Sequence, residues 1–363
     1  MVSMKTFLQA VLVIVIVVTM VVTDSSACTV FKITAKDGAI VSPRTMEFGH
    51  DVNSRVLAVP RGKAYVSPAP NGGNGVAWEG RYGFVGMSGL GDDNAIFDGL
   101  NEAGLAFSAL WYDADMTWPS VPAGEEGKAL AHAMIGSWIL SNFSTVDEVR
   151  EGLKGVRLYG ILIEAMKQVP PMHFAVYDAA GGSIVIECDN GELHVYDNKP
   201  GVMTNAPELP WHLTNLRNYL RMSPQMAEAA NFGGIELRAM GHGSGMIGLP
   251  GDITPASRFI KMSVLLRYAD QPADSSGALS MARHIMNNVD IPKGIAVDLD
   301  KDGNVAASEW TQWTTYRDLT GRVFYFHTYE NPTLRKIDLK QLDFQAQREF
   351  PLNAEEVVID LLK

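Results

Sequence analysis

Nine short runs rich in β-branched and aromatic residues recur between residues 29 and 329. They are TVFKIT (29–34), RVLAV (55–59), RYGFVGM (81–87), GLAFSALWY (104–112), HFAVYD (173–178), SIVIEC (183–188), ELHVYD (192–197), EWTQWTTYRDL (309–319) and RVFYFHTY (322–329). Gly, Asp, Asn and Pro punctuate them, so they read as strands. AGGS (180–183) and DNGE (189–192) have the composition of hairpin connections. Helical stretches are fewer and clustered. KALAHAMIGSWILSNF (128–143) has a broad apolar face and reads as a helix. A second follows, started by Ser144 or Thr145, with Thr145-x-x-Glu148 matching a capping box. SRFIKMSVLLRYA (257–269) and GALSMARHIMNNV (277–289) read as two more. Hairpins with clustered helices imply an α+β fold with antiparallel sheets rather than alternating βαβ units.

No repeat and no interdomain linker interrupts this pattern; PNGGNG (70–75) is a flexible loop. Residues 28–363 are therefore expected to form one domain. The net charge of −11 repels phosphate backbones and anionic membrane surfaces and argues against nucleic-acid binding. Two cysteines form no disulfide framework, and no CxxC or Cys/His cluster suggests zinc. Cys188, inside SIVIEC, reads as a small buried hydrophobe.

Cys28 is different. Lys5 provides a short basic start, Leu8 to Val22 is nearly unbroken apolar sequence, and Asp24, Ser25, Ser26 and Ala27 follow. Small residues at Ser25 and Ala27 fit a signal-peptidase site, with residues 1–27 removed and Cys28 left at the N-terminus. Two alternatives stay open: an uncleaved anchor helix, for which the run is short of the ~20 residues that span comfortably, and a lipoprotein acylated at Cys28. The lipoprotein signal normally has Leu three residues before the cysteine, where Ser25 stands. Cleavage implies export to the periplasm or beyond. No later segment is long and apolar enough to span a membrane.

Several motifs carry no function. GSGMIG (243–248) matches GxGxxG, but Pro250 follows and no βαβ unit surrounds it. No serine sits in GxSxG. Asn142-Phe-Ser144 is a glycosylation sequon at a helix junction. Asp298-x-Asp300-x-Asp302-Gly303-x5-Glu309 fits an EF-hand loop, yet a strand-like run follows it and no helix flanks it. An acidic surface turn is the better reading.

An N-terminal cysteine would supply two catalytic parts. A free thiol titrates near ~8.5, and an α-amine near ~7.7–8.0. The amine therefore keeps an unprotonated fraction at neutral pH and can take the thiol proton. None of the eight histidines stands out as a partner for the thiol. The chemistry implied is acyl transfer from an amide through a thioester, with water as second substrate and no cofactor.

CTVFKITAKDGAIVSPRTMEF (28–48) resembles the start of mature choloylglycine hydrolases and penicillin V acylases, which are N-terminal-nucleophile hydrolases. The resemblance continues through FDGLNEAGLAFSALWY (97–112), SNFSTVDEV (141–149), GVMTNAPELPWHLTNLRNY (201–219), GHGSGMIGLPGDITPASRF (241–259), IMNNVDIPKG (285–294), TQWTTYRDL (311–319) and FHTYEN (326–331). It implies a four-layer αββα sandwich of two antiparallel sheets flanked by helices. It also implies that Cys28 is the nucleophile and that Arg44, in PRTME, lies beside it, where a cation favours thiolate. Glu47 stands where the family usually has aspartate to hold the α-amine. Asn205, in MTNAP, matches the asparagine that helps form the oxyanion hole, and Arg258, in ASRF, the last active-site arginine.

Trp111 occupies a position where Gram-positive bile-salt hydrolases tend to have asparagine and penicillin V acylases tyrosine; an indole resembles the Gram-negative branch. There its backbone N–H serves the oxyanion and its ring lines the acyl pocket. Phenoxyacetyl and fatty acyl amides, including acyl-homoserine lactones, suit an aromatic wall better than conjugated bile salts. The resemblance further implies a homo-tetramer, with 207–222 in the stretch that relatives use for assembly. The competing class is a membrane-anchored or lipidated, non-catalytic binding protein, calcium-dependent if the acidic loop binds metal.

Overall fold

The computed structural model describes residues 27–113 and 116–362. Apart from Ala27, the expected signal segment lies outside the described residues. No helix among the described residues is long and apolar enough to cross a membrane.

Two large sheets dominate, and every neighbouring pair of strands in them is antiparallel. The first runs in the order Val202–Met203, Thr29–Phe31, Ile40–Phe48, Val305–Asp318, Val323–Thr328, Arg335–Asp338. Ile33–Thr34 also pairs with Ile40–Phe48, and Ala296–Leu299 with Val305–Asp318. The second runs in the order Glu192–Asp197, Ser183–Asp189, Met172–Tyr177, Ala106–Trp111, Asp92–Asn101, Phe84–Gly89, Arg55–Val59, Arg348–Phe350. Among the described residues five α-helices accompany them: α1 (Ile135–Asn142), α2 (Val146–Leu153), α3 (Leu209–Leu216), α4 (Pro255–Tyr268) and α5 (Ser275–Met286).

The period of two in each strand sorts side chains between layers. In the second sheet Val56, Ala58, Val85, Met87, Ala175, Tyr177 and Val185 join Val30, Phe31, Val41 and Tyr316 of the first sheet in one buried cluster. Their neighbours Leu57, Val59, Phe84, Phe174, Val176, Ile184 and Ile186 face the other way, against Ile135, Trp138 and Ile139 of α1 and Val149 of α2. Phe259 and Ile260 of α4 and Ala278 and Ala282 of α5 extend the first cluster over the first sheet, with α5 lying against Ile40–Phe48. The result is the four-layer αββα sandwich.

Local chemistry fixes several elements. DNGE forms a hairpin with Asn190 at φ 52° and Gly191 at φ 77°, the left-handed pair that Asn-Gly supplies. At α2 the Glu148 N–H donates to Thr145 Oγ1 at 3.2 Å. The Glu148 carboxylate reaches back to the Ser144 N–H at 2.6 Å, one residue earlier than a strict capping box.

Two expectations need correction. The helix expected over 128–143 begins only at Ile135, because Ala129–Ala131 forms a parallel strand with Arg157–Tyr159. Gly75 packs so close to Ala129 O that a β-carbon there would meet it at 2.2 Å. TVFKIT is two strands, not one. The break falls at Lys32, opposite Ser42; Pro43, opposite Phe31, has no N–H to give, and the Ser42 hydroxyl donates to Phe31 O at 2.7 Å in its place. The EF-hand-like stretch is an acidic surface turn, as the sequence suggested, set in a β-hairpin. Asp300 Oδ1 accepts from the N–H groups of Asp302 and Asn304, both at 2.9 Å, closing the turn. Glu309 is far along the strand, buried and opposite Ala296. Among the described residues no group of three His, Cys, Asp or Glu side chains is gathered to hold a metal ion.

Candidate active site

Cys28 immediately precedes the strand Thr29–Phe31 and is almost wholly buried. The paired strand Ile40–Phe48 decides what surrounds it. Its even-numbered residues Arg44, Met46 and Phe48 line an apolar pocket together with Cys28. Arg44 Nη2 lies 3.6 Å from Cys28 Sγ and donates to Ala109 O at 2.6 Å. The thiol is also 3.7 Å from Met46 Sδ and from Glu47 O. The guanidinium lies over the Trp313 ring, 4.8 Å from its centroid. Its Nε and Nη1 are buried without a hydrogen-bond partner.

Glu47 is fully buried. Thr311 Oγ1 donates to Glu47 Oε1 at 2.6 Å, because register places Thr311 directly opposite. The register slips between Thr311 and Trp313, a bulge that leaves Gln312 unmatched beside the site. Gln312 Nε2 caps His50 O at 2.6 Å, and its Oε1 accepts the Val52 N–H at 3.2 Å. Burial pushes the Glu47 carboxyl up to about 7, against the opposing pull of the Thr311 hydroxyl and the Arg258 charge.

Arg258, on α4, binds the backbone around the cysteine. Its Nη1 donates to Cys28 O and Thr29 Oγ1, both at 2.6 Å, and its Nη2 to Asn205 Oδ1 at 2.6 Å. An arginine can only donate, so the Asn205 amide oxygen must face it. The Asn205 Nδ2 then faces the other way and donates to Trp111 O at 2.9 Å. That bond uses one of its two N–H groups. The Tyr112 N–H donates to Pro171 O at 3.0 Å, so the opposed pair Trp111 and Met172 is the non-hydrogen-bonded kind. The Trp111 N–H and C=O therefore turn together toward the side where Asn205 approaches.

The pocket beyond the thiol holds about 690 Å³, its open mouth included. Phe107, Ala109 and Trp111 line it on one strand, Met172 and Phe174 on the next, in register Ala109 to Phe174 and Trp111 to Met172. Ile135 and His132 close it from the helical side. Burial pushes the His132 imidazole down to about 4, and its Nδ1 accepts the Ile161 N–H at 3.2 Å. Trp111 meets Phe48 edge to face at 5.6 Å, and its indole N–H is buried without a partner.

All six residues singled out from sequence thus lie within one connected region: Cys28, Arg44 and Trp111 on the pocket, Arg258 and Asn205 linked to each other and to Cys28 and Trp111, and Glu47 behind the cysteine strand. Sequence reasoning missed Met46, Thr311 and two buried histidines, His173 and His212, behind Asn205. Their place depends on strand register and side-chain reach. His212 stood within the quoted 201–219 motif, with no pattern to mark its partner.

Comparison with known proteins shows the family and the fold. Residues 28–360 match the family described as "Linear amide C-N hydrolases, choloylglycine hydrolase family". The bile salt hydrolase/transferase of Clostridium perfringens is 32% identical over 316 residues, spanning 86% of this chain and 93% of that protein. The penicillin V acylase of Pectobacterium atrosepticum is 25% identical, over 84% and 78% of the two chains. A crystal structure of a conjugated bile acid hydrolase variant from Clostridium perfringens superposes with a TM-score of 0.80 at 29% identity, covering 93% of this chain and 100% of that one. A penicillin V acylase structure from Agrobacterium tumefaciens gives 0.72 at 25%, covering 92% and 94%. The chain belongs to the choloylglycine hydrolase family of linear amide C–N hydrolases.

Proposed function

We propose that this hydrolase is an exported N-acyl amidase in which removal of residues 1–27 makes Cys28 both nucleophile and base. The observation that carries the reading is the convergence of Arg44, Asn205, Trp111 and Arg258 around one buried thiol at an apolar pocket. The free α-amine accepts the thiol proton as Sγ attacks the amide carbon. The oxyanion that forms takes hydrogen bonds from the second Asn205 Nδ2–H and the Trp111 N–H; one such preorganised donor contributes about 2.7–4 kcal/mol in the transition state. As the intermediate collapses the C–N bond breaks, and the α-ammonium returns its proton to the leaving amine. Water then attacks the thioester, giving one proton to the α-amine, and the acid departs as the thiol is restored. Glu47, beside the cysteine strand, holds the new ammonium. The reaction needs no cofactor.

The pocket supports an aryl or fatty acyl group that carries an acceptor oxygen, because its apolar walls hold an unpaired indole N–H. Phenoxyacetyl amides and 3-oxo-acyl-homoserine lactones meet both conditions. Conjugated bile salts, which are bulkier, fit less well. The exposed side chains of Trp211, Leu213 and Leu220 in 207–222 support assembly of this enzyme into a homo-tetramer.

N-terminal sequencing and intact mass of the exported protein test the activation step; a mature chain beginning anywhere but Cys28, or carrying lipid on it, defeats the proposal. A kinetic panel of penicillin V, penicillin G, tauro- and glyco-conjugated bile salts and acyl-homoserine lactones tests the acyl preference. Cys28→Ser is expected to keep little turnover, since a poorer nucleophile depends on the same weak base; near-normal turnover contradicts the thioester route.

A further inference from the structure

Asn205 must point one N–H at the oxyanion, yet it sits in a connection between the strand Val202–Met203 and α3. Loops of this kind are rarely rigid without help. Here two buried histidines grip consecutive backbone carbonyls. His173 Nε2 lies 2.9 Å from Thr204 O, and His212 Nε2 lies 2.9 Å from Asn205 O. A carbonyl can only accept, so both nitrogens carry the proton and donate.

The histidines are themselves anchored. His173 Nδ1 lies 3.2 Å from Glu187 Oε1, and the Tyr112 ring stacks on the imidazole at 4.5 Å. Glu187 is buried and its two carboxylate oxygens also accept the Leu209 N–H, each at 3.2 Å. Leu209 is the first residue of α3, where an anion meets the positive end of the helix. One carboxylate thus ties the strand that carries His173 to the helix that carries His212. His212 stacks flat on Phe259 of α4 at 4.5 Å, one residue from Arg258. Desolvation pushes its imidazole down to about 4, so at neutral pH it is an uncharged donor.

We propose that His212, with the His173–Glu187 pair behind it, is a positioning residue that sets the direction of the Asn205 amide at the oxyanion. The inference rests on the reading above that Asn205 serves the oxyanion. The histidines bond the backbone carbonyls of Thr204 and Asn205, so they act on the side-chain amide through the backbone. A shift of this peptide by about 1 Å would move the side chain away from Trp111 O and Arg258.

The test compares three mature variants with the wild type on one amide substrate. His212→Phe keeps the flat ring against Phe259 and removes the N–H; His212→Gln keeps an amide N–H that reaches Asn205 O; Asn205→Ala removes the oxyanion donor. His212→Phe is expected to lower kcat ~10- to 100-fold, the scale of a misplaced catalytic donor, with KM changed less than about twofold. His212→Gln is expected to recover most of the loss. Alkylation of Cys28 by iodoacetamide, which needs no oxyanion hole, is expected to keep its wild-type rate in every variant. Full kcat in a folded His212→Phe variant, or alkylation that falls in step with kcat, overturns the inference while Asn205→Ala still reports the oxyanion role. If His212→Phe does not fold, an impaired, folded His212→Gln enzyme overturns it, and near-wild-type kcat in that enzyme supports it. An Asn205→Ala enzyme of normal activity overturns both.

Discussion

Two arginines lie buried side by side in the first sheet and differ in almost everything else. Register sets Arg44 opposite Thr315 and Ser42 opposite Arg317, so the two positions are near neighbours on adjacent strands. Arg317 is saturated. Its Nη1 pairs with Asp98 and donates to Ser108 Oγ at 2.6 Å and Phe107 O at 3.1 Å. Its Nη2 donates to Ser42 Oγ at 2.8 Å and its Nε to Ser42 O at 3.0 Å. The other oxygen of Asp98 accepts from Thr315 Oγ1 at 2.7 Å. Arg44 uses a single nitrogen for all its hydrogen bonds and leaves Nε and Nη1 without partners. A buried charge with every guanidinium nitrogen hydrogen-bonded locks two sheets together. A buried charge with idle donors at a pocket wall suits the proposed role of meeting a substrate.

The comparison breaks first at Arg317. Arg317→Met strands Asp98 between the sheets, and losing one partner of a buried pair costs about 3–5 kcal/mol. Urea unfolding should show that drop, while kcat of the folded fraction stays near normal. Asp98→Leu added to it should restore much of the stability; no recovery would mean that the network is not the lock described. Arg44→Met should do the reverse. It removes a partly satisfied buried charge, so stability should shift by no more than about 1 kcal/mol. Turnover should fall by about 10²-fold or more, as expected when a group placed at the reacting centre is lost. Equal effects of the two substitutions on stability would erase the distinction.

The same contrast marks what sequence could convey. Alternation and turn residues made the sheets legible, and DNGE and Thr145 were readable because hairpins and caps are local. Arg44, Asn205 and Arg258 were visible through motifs, whereas Arg317, in the quoted TQWTTYRDL, drew no notice. Its role depends on Asp98 and Ser108 from a different sheet, and no local pattern announces such a pairing. His173 and Thr311 were hidden for the same reason. The expected helix over 128–143 failed because Ala and Leu suit helix by propensity, yet a strand partner at 157–159 and the approach of Gly75 took residues 129–131. The acidic stretch at 298–309 matched a metal loop in composition only, since its glutamate lies well up the strand from the turn.

Glu47 sharpens the comparison through pH. With Cys28 still in peptide linkage, burial lifts this carboxyl from its ordinary value near 4.5 to about 7. The folded chain then holds a proton that the unfolded chain releases. Stability is therefore greatest below the unfolded value and falls as pH rises toward 7, by a few kcal/mol in order of magnitude. Unfolding of the unprocessed chain at pH 5 and pH 8 should reveal the loss, and Glu47→Gln should flatten it. Processing should flatten it too, since an ammonium beside the carboxylate favours its ionised form. A pH slope identical in the wild type and Glu47→Gln would remove Glu47 as its source.

The smallest effect is expected at Thr311. Its hydroxyl donates to Glu47 Oε1 and accepts the Ile291 N–H at 2.9 Å, so it holds the carboxylate against the strand that the bulge has bent. Thr311→Val keeps the shape and deletes both bonds. The hydroxyl draws Glu47 toward its ionised form, so losing it pushes the carboxyl up. The carboxylate proposed to hold the new ammonium then forms only at higher pH. In the mature enzyme the acidic limb of the kcat/KM profile should move to higher pH, with a loss of about threefold to tenfold at pH 7, about 1 kcal/mol for one hydrogen bond. At alkaline pH the variant should approach the wild type. A uniform loss across the whole pH range would mean that Thr311 supports the strand rather than the charge on Glu47.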